Sequence, residues 1–398
     1  MRILILSSST GGGHDMRARS LVQWSRHLSS SIGQVETMRY QALEQSSKLY
    51  SFGVELYNRI QKTCPGLHHA YFNILELFQV SCSQALMLGK EKLRTALMES
   101  QPDIIVSVHA HLNHAFRKYA QSVLPQVKFV TYCGEMHGGY GFSRHWVDPG
   151  ADLFIGATPE ICDAAGKLGM PKERIYYGGF LLNPNFYGPL LNQQQKHDYL
   201  AELGLQPERF TLLLSTGANA AQNHLPFFKA LNQAKLDLQV VALCGRNLKA
   251  KSDLEEWARE NAPQLSVKML AHVDNMFPLM QTCDLIVARP GTGTTSEAIR
   301  AACPILFNTI GGIMPQEWIT VKYCRSHGLP ATCIRRPDAL PVQLRPLMSH
   351  PKQLEQIKQS MQDLIPPQNP DQILLKLLDL AEPRQNIPQP TTDIPCAS

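Results

Sequence analysis

Residues 2–20 read RILILSSSTGGGHDMRARS. An apolar run passes into small polar residues, then three glycines and a histidine, then a stretch that puts Leu21, Trp24 and Leu28 on one helical face. That order predicts a strand, a tight turn and a helix. A strand that is apolar at successive positions belongs to a sheet covered on both faces. The pattern recurs in DIIVSVHA (103–110), VKFVTYC (127–133), DLFIGAT (152–158), FTLLLST (210–216), LQVVALCG (238–245), DLIVARPG (284–291) and CPILFNT (303–309), with helix-like stretches between them. The chain therefore reads as α/β, with two doubly wound Rossmann-like domains facing a cleft. YYGGFLLNPNFYG (176–188), rich in Gly, Asn and Pro, reads as the linker. This divides the chain into 1–180, 181–370 and a C-terminal segment 371–398, where a last helix over 371–382 is followed by a polar, Pro-rich tail.

The chain has 398 residues, 44% of them apolar and 18% charged, which suits two packed domains rather than a disordered composition. A net charge of +5 favours anionic ligands or an anionic membrane surface. It is too diffuse to imply nucleic acid, since no dense Lys/Arg block occurs. The ten cysteines form no CxxC pair, so zinc is not expected. No run of about 18 uncharged apolar residues and no signal peptide is seen, which predicts a cytoplasmic protein with reduced thiols. Residues 41–100 break the strand–helix alternation, being rich in aromatics and leucines and poor in acids. They read either as a helical insertion packed on the first domain or as a face that meets a membrane surface and a lipid.

Four glycine loops follow strands: STGGGH (9–14), STGAN (215–219), LCGRN (243–247) and RPGTGTTSEA (289–298). In open α/β sheets ligands bind beyond the carboxyl ends of the strands, and helix N-termini there present free N–H groups to an anion. None of the loops is GxGxxG with an acid about twenty residues on, and none is a P-loop. Thr292, Thr294, Thr295 and Ser296 offer hydroxyls that suit a diphosphate. Glu297 suits the paired hydroxyls of a ribose, or is only an acid in a helix's first turn.

These segments carry a resemblance. SSTGGGH (8–14), PDIIVSVHAHLNHAF (102–116), ALCGRN (242–247), HVDNMFPLMQTCDLIVARPGTGTTSEAIRAACPILF (272–307) and PQEW (315–318) together resemble glycosyltransferase family 28, whose members have the two-domain GT-B fold. The nearest in pattern are monogalactosyldiacylglycerol synthases and bacterial diacylglycerol glucosyltransferases. The lipid II-forming N-acetylglucosaminyltransferase is a more distant relative. The resemblance implies an inverting transfer of a hexose from a UDP-sugar, bound in the second domain, to a diacylglycerol-like lipid bound in the first. It implies a peripheral enzyme on the inner face of the membrane. It assigns Gly217, Asn219, Thr292, Gly293 and Thr294 to the diphosphate, Arg246 to the donor rim, and the backbone of His272 and Val273 to uracil. Glu297 falls to the ribose, and Gln316 and Glu317 to the sugar hydroxyls. Gly11, Gly12 and Gly13 would let the backbone approach the acceptor and the donor phosphates. His14 would be the general base, unless it only positions phosphate or acceptor or caps its helix. No DxD sequence occurs, so transfer without a metal or other cofactor is expected.

The family's lipid galactosyltransferases carry V-T-D at the end of the strand that here opens FVTYCGEMHGGYGFSRHW (129–146). The aspartate is absent, and Glu135 is its candidate replacement as a second catalytic residue. His137 and His145 on the same loop are further acid/base candidates. His109, His111 and His114 match no common zinc spacing, and the resemblance places His109 in the cleft. Two alternatives share the fold class: a UDP-N-acetylhexosamine 2-epimerase, and a transferase acting on a non-lipid acceptor.

Overall fold

The computed structural model of the protein describes residues 1–28, 34–63, 65–78, 87–215 and 224–381. Its first sheet contains β1 (Arg2–Ser7), β2 (Glu36–Gln41), β3 (Ile104–Ser107), β4 (Lys128–Cys133), β5 (Leu153–Gly156) and β6 (Ile175–Tyr177). They lie parallel in the order β2-β1-β3-β4-β5-β6. The second contains β7 (Thr211–Ser215), β8 (Gln239–Leu243), β9 (Ser266–Leu270), β10 (Leu285–Ala288), β11 (Ile305–Asn308) and β12 (Cys333–Ile334). Its strands are also parallel, in the order β12-β11-β10-β7-β8-β9.

Both sheets are buried on two faces. Leu4, Leu6, Ile105 and Phe129 pack on one side of the first sheet, while Ile3, Ile5, Val106 and Val130 enter the core on the other. In the second, Leu212, Val240 and Val287 face one core and Leu213, Val241 and Ile286 the other. Each fully buried side chain of this kind is worth roughly 1.5–3 kcal/mol, which is why the inner strands read as unbroken apolar runs.

The winding order creates two switch points. The chain leaves β1 for β2 and returns on the other side of β1 as β3; likewise β10 returns beside β7 after β8 and β9. The loops after β1 and β3 therefore flank a crevice at the carboxyl edge of the first sheet, and the loop after β10 lies at the corresponding point of the second.

The 176–188 segment is more tightly held than a linker. Tyr176 and Tyr177 belong to β6, and Phe180, Leu181, Leu182 and Phe186 are buried. Tyr132, which stands where the family has its V-T-D aspartate, donates its hydroxyl to the Gly179 carbonyl at 2.9 Å and accepts from the Leu181 amide at 2.8 Å. The last described helix, Pro370–Leu380, buries Ile373, Leu374 and Leu377 and packs back on helix Gly13–His27 of the first domain. Gly217, Asn219 and the tail beyond 381 lie outside the described residues.

The 41–100 stretch is mostly helical where it is described, with helices Ala42–Ser46, Lys48–Thr63, His68–Phe78 and Lys90–Ser100. Leu49, Phe52 and Leu56 stand exposed on one face of the second, at 65%, 60% and 38%. Among the described residues no helix is long and apolar enough to cross a membrane.

Candidate functional site

The turn after β1 is made by Gly11 and Gly12, whose φ values of 65° and 82° suit glycine. Gly13 then opens the helix Gly13–His27. Two of the loop's amides are bonded within the protein. The Ser9 amide donates to Glu44 at 2.6 Å and the Gly11 amide to Asn58 at 3.1 Å, both partners belonging to the insertion. Glu44 thus sets a carboxylate against the start of this loop, ahead of the glycines.

His14 stands at that start. Its Nδ1 lies 2.7 Å from the Val108 carbonyl oxygen. A carbonyl only accepts, so Nδ1 carries the proton and Nε2 keeps its lone pair. Burial, with Arg17 adding to it, lowers the His14 pKa from 6.5 to about 3. The His109 ring sits 4.4 Å away, centroid to centroid. His109 Nδ1 accepts the His111 amide and its Nε2 meets the Thr10 hydroxyl at 3.0 Å. His111 packs against the buried His145, and His114 lies 3.8 Å from Asp148. Among the described residues no three His, Cys, Asp or Glu side chains converge as metal ligands would.

The loop after β4 carries Glu135, 8% exposed, with Oε2 lacking a partner. Burial raises its pKa from 4.5 to about 7, against the opposing pull of Arg17. His137 instead faces the carbonyl of Gly138. Arg17, a residue the motifs did not single out, lies one turn beyond His14 and is buried. Its Nη2 donates to the Gly134 carbonyl at 2.7 Å and to the Thr292 hydroxyl at 2.6 Å. One guanidinium thus ties the Glu135 loop of the first domain to the helix start of the second.

That second-domain helix, Thr292–Arg300, begins at Gly291 without a side-chain cap, so its first amides are unclaimed by its own side chains. Gly293 approaches Met16 of the first domain; a Cβ there would sit 3.2 Å from Met16 Cε. Thr294 is partly exposed beside it, and Thr295 Oγ1 is buried without a partner. Burial raises Glu297 to about 7. Arg246 is exposed on the loop after β8, and His272 is exposed beside Asp274, with Val273 packed partly on the core.

Gln316 and Glu317 open helix Pro315–Ser326 and do different things. Gln316 donates to Tyr57 of the insertion. Glu317 is buried, pairs with Arg289 through both carboxylate oxygens and accepts the Met314 amide at 2.9 Å. It holds a turn whose Ile310 and Gly312 carbonyls also bind Arg289. Of the two, only Gln316 lines open space.

That space is a cavity of about 270 Å³ between the insertion and the carboxyl edge of the first sheet. Leu49, Val54, Phe72, Phe116 and Trp146 make its walls largely apolar. His14, His109 and Glu135 line it from the first domain and Gln316 from the second. A mostly apolar chamber thus meets a histidine lone pair and a carboxyl group at the junction of the two domains.

Residues 14–181 match the family model described as monogalactosyldiacylglycerol (MGDG) synthase, and residues 215–309 match the glycosyltransferase family 28 C-terminal domain. The chain belongs to glycosyltransferase family 28. The transferase is 27% identical over 347 residues to a probable monogalactosyldiacylglycerol synthase 2 of Oryza sativa subsp. japonica, covering 82% of this chain and 69% of that protein. It is 23% identical over 383 residues to a processive diacylglycerol beta-glucosyltransferase of Bacillus cytotoxicus, covering 92% and 90%. Its fold is that of Acinetobacter baumannii MurG, with a TM-score of 0.58 at 15% identity over 95% of this chain and 99% of that one. Anabaena Alr3699/HepE in complex with UDP superposes with a TM-score of 0.55 at 13% identity, covering 96% and 100%. The two-domain GT-B reading is thereby established for the glycosyltransferase.

Proposed function

We propose that this glycosyltransferase moves a hexose from a UDP-sugar to the hydroxyl of a neutral, diacylglycerol-like lipid, with inversion to a β-glycoside. The observation that carries the proposal is the apolar cavity that ends on His14 and Glu135 and faces the uncapped helix Thr292–Arg300 across Arg17. The names of the rice and Bacillus relatives support the same substrates.

In this reading the acceptor hydroxyl enters the cavity and gives its proton to His14 Nε2. The hydroxyl oxygen bonds to the anomeric carbon as the bond from that carbon to UDP breaks, and UDP leaves with the electron pair. The first amides of helix Thr292–Arg300, the Thr292 and Thr294 hydroxyls and Arg17 meet the charge growing on the diphosphate, so no metal is needed. A diphosphate beside Arg17 offsets the cation that helps hold His14 low, and so raises the basicity of His14 when the donor is bound. Ionised Glu135 stabilises the positive character of the anomeric carbon and of His14. Glu297 completes the donor site among the described residues.

The exposed Leu49, Phe52 and Leu56, flanked by Lys48 and Arg59 and continued by Leu67 and Ile74, support peripheral docking on an anionic membrane from the cytoplasmic side. Leu49 also lines the cavity, which links this exposed face to the acceptor chamber. The test is transfer of radiolabel from UDP-glucose, UDP-galactose and UDP-N-acetylglucosamine into diacylglycerol vesicles. Organic-phase label with one donor supports the proposal. Label confined to water, with UDP binding intact, contradicts it.

A further inference from the structure

The insertion contributes polar groups to the cavity as well as walls. His68, at the start of helix His68–Phe78, lines the cavity and is 1% exposed, yet its Nε2 has no hydrogen-bond partner. Tyr57 lies against it, ring centroids 4.4 Å apart. The Tyr57 hydroxyl accepts from Gln316, which leaves its own proton free to donate. A buried polar atom without a partner costs about 1–3 kcal/mol, and an apolar side chain would fit this wall without that cost. The pair faces the same chamber as His14 and Glu135 but comes from a different element, so it meets a different part of whatever fills the chamber.

The chemistry of that part is restricted. Burial holds His68 at about 4 and His14 at about 3, and it raises Tyr57, so near neutral pH none of the three is charged. A phosphate would find no cation among them. The other ring nitrogen of His68 donates to the Tyr57 backbone carbonyl, so Nε2 keeps its lone pair and accepts from an uncharged hydroxyl, while the Tyr57 phenol donates to an uncharged carbonyl or hydroxyl oxygen.

We propose that Tyr57 and His68 form a second polar subsite in the acceptor cavity, which reads an uncharged oxygen next to the reacting hydroxyl and so selects acylglycerol-type or diol lipids over simple long-chain alcohols. The proposal rests on the lipid-acceptor reading above and adds the residues that set acceptor choice. A site built to bond an oxygen discriminates strongly against an analogue that lacks it, because its own groups are then left unpaired.

The test compares kcat/KM for three acceptors in detergent micelles: a 1,2-diacylglycerol, a long-chain 1,2-diol and a long-chain 1-alkanol. It uses the full chain, His68→Phe and the milder Tyr57→Phe, with UDP affinity and melting temperature as controls. The wild-type protein should prefer the diacylglycerol or the diol to the alkanol by about a hundredfold. Preference for the diacylglycerol identifies a carbonyl that accepts from Tyr57, and equal preference for the diol a hydroxyl that donates to His68. Either variant should cut that ratio at least tenfold. If the ratio is near one in the wild-type protein, or if a variant lowers all three values by a common factor, the subsite is refuted while lipid transfer stands. If no acceptor is glycosylated although UDP binds, the lipid-acceptor reading itself fails.

Discussion

Replacing Glu135 by Gln should make the protein more stable and nearly inactive, with the gain confined to neutral and alkaline pH. Burial holds this carboxyl at about 7 instead of 4.5, so the fold favours its protonated form. The stability associated with that protonated group is fully present below pH 4.5 and is lost as pH rises to about 7. At about 1.4 kcal/mol per pH unit, the difference amounts to about 3 kcal/mol above pH 7. Glutamine carries no charge but brings an amide to a position where Oε2 already lacks a partner, which returns about 1 kcal/mol. A net gain of about 2 kcal/mol corresponds to about 4–8 °C in a domain of this size. Differential scanning calorimetry of both proteins at pH 5 and pH 8 reads this directly: the melting temperatures should be close at pH 5 and separated at pH 8. The same substitution should remove an acidic limb near pH 7 from the pH–rate profile. A separation equal at both pH values, or a less stable variant at pH 8, would refute the claim that a charge is buried there for function.

Arg17→Met removes the cation that pulls Glu135 down and the bond to Thr292, so the acidic limb should move to higher pH and KM for the UDP-sugar should rise about tenfold, read from steady-state kinetics across pH 5–9. Gly141→Ala places a Cβ 2.0 Å from the Pro315 carbonyl oxygen at a φ of 98°, so it should push the Glu135 loop off helix Pro315–Ser326 and lower kcat more than tenfold, measured at saturating donor. Phe52→Ser with Leu49→Ser should abolish sedimentation with anionic vesicles; unchanged sedimentation would remove the membrane-facing role of this helix. Glu297→Ala should weaken UDP-sugar binding by calorimetry, and EDTA should leave the wild-type rate unaltered.

The eight strands legible in the sequence are the inner strands of the two sheets, β1, β3, β4 and β5, and β7, β8, β10 and β11. The four that were not, β2, β6, β9 and β12, are the four edges. An edge strand is covered less completely, so it need not be apolar at successive positions: ETMRYQ and SVKML alternate or carry charge, and β12 is two residues long. β6 was hidden for a further reason, since Gly178 and Gly179 directly after it made the region read as linker. The site divides in a similar way. His14, Glu135, Thr292 and Gln316 sit at strand ends or helix starts, where motif and topology coincide. Glu44, Asn58, Tyr57 and His68 act through an insertion whose amphipathic sequence reports only that it is half apolar. Their roles depend on which loops the insertion covers, and no local pattern encodes that. Arg17 had a signal in its helical spacing from His14, but its partner Thr292 lies 275 residues away.

The central claim is that His14 takes a proton from a lipid hydroxyl in this cavity. It is tested most directly by measuring label transfer from the preferred UDP-hexose to diacylglycerol for the wild-type protein and His14→Ala, with UDP-sugar affinity determined on the same samples. The account predicts that turnover falls by about 10²–10⁴-fold while affinity changes little. A variant that loses donor affinity but keeps normal turnover at saturating donor would contradict it and make His14 a phosphate-positioning residue.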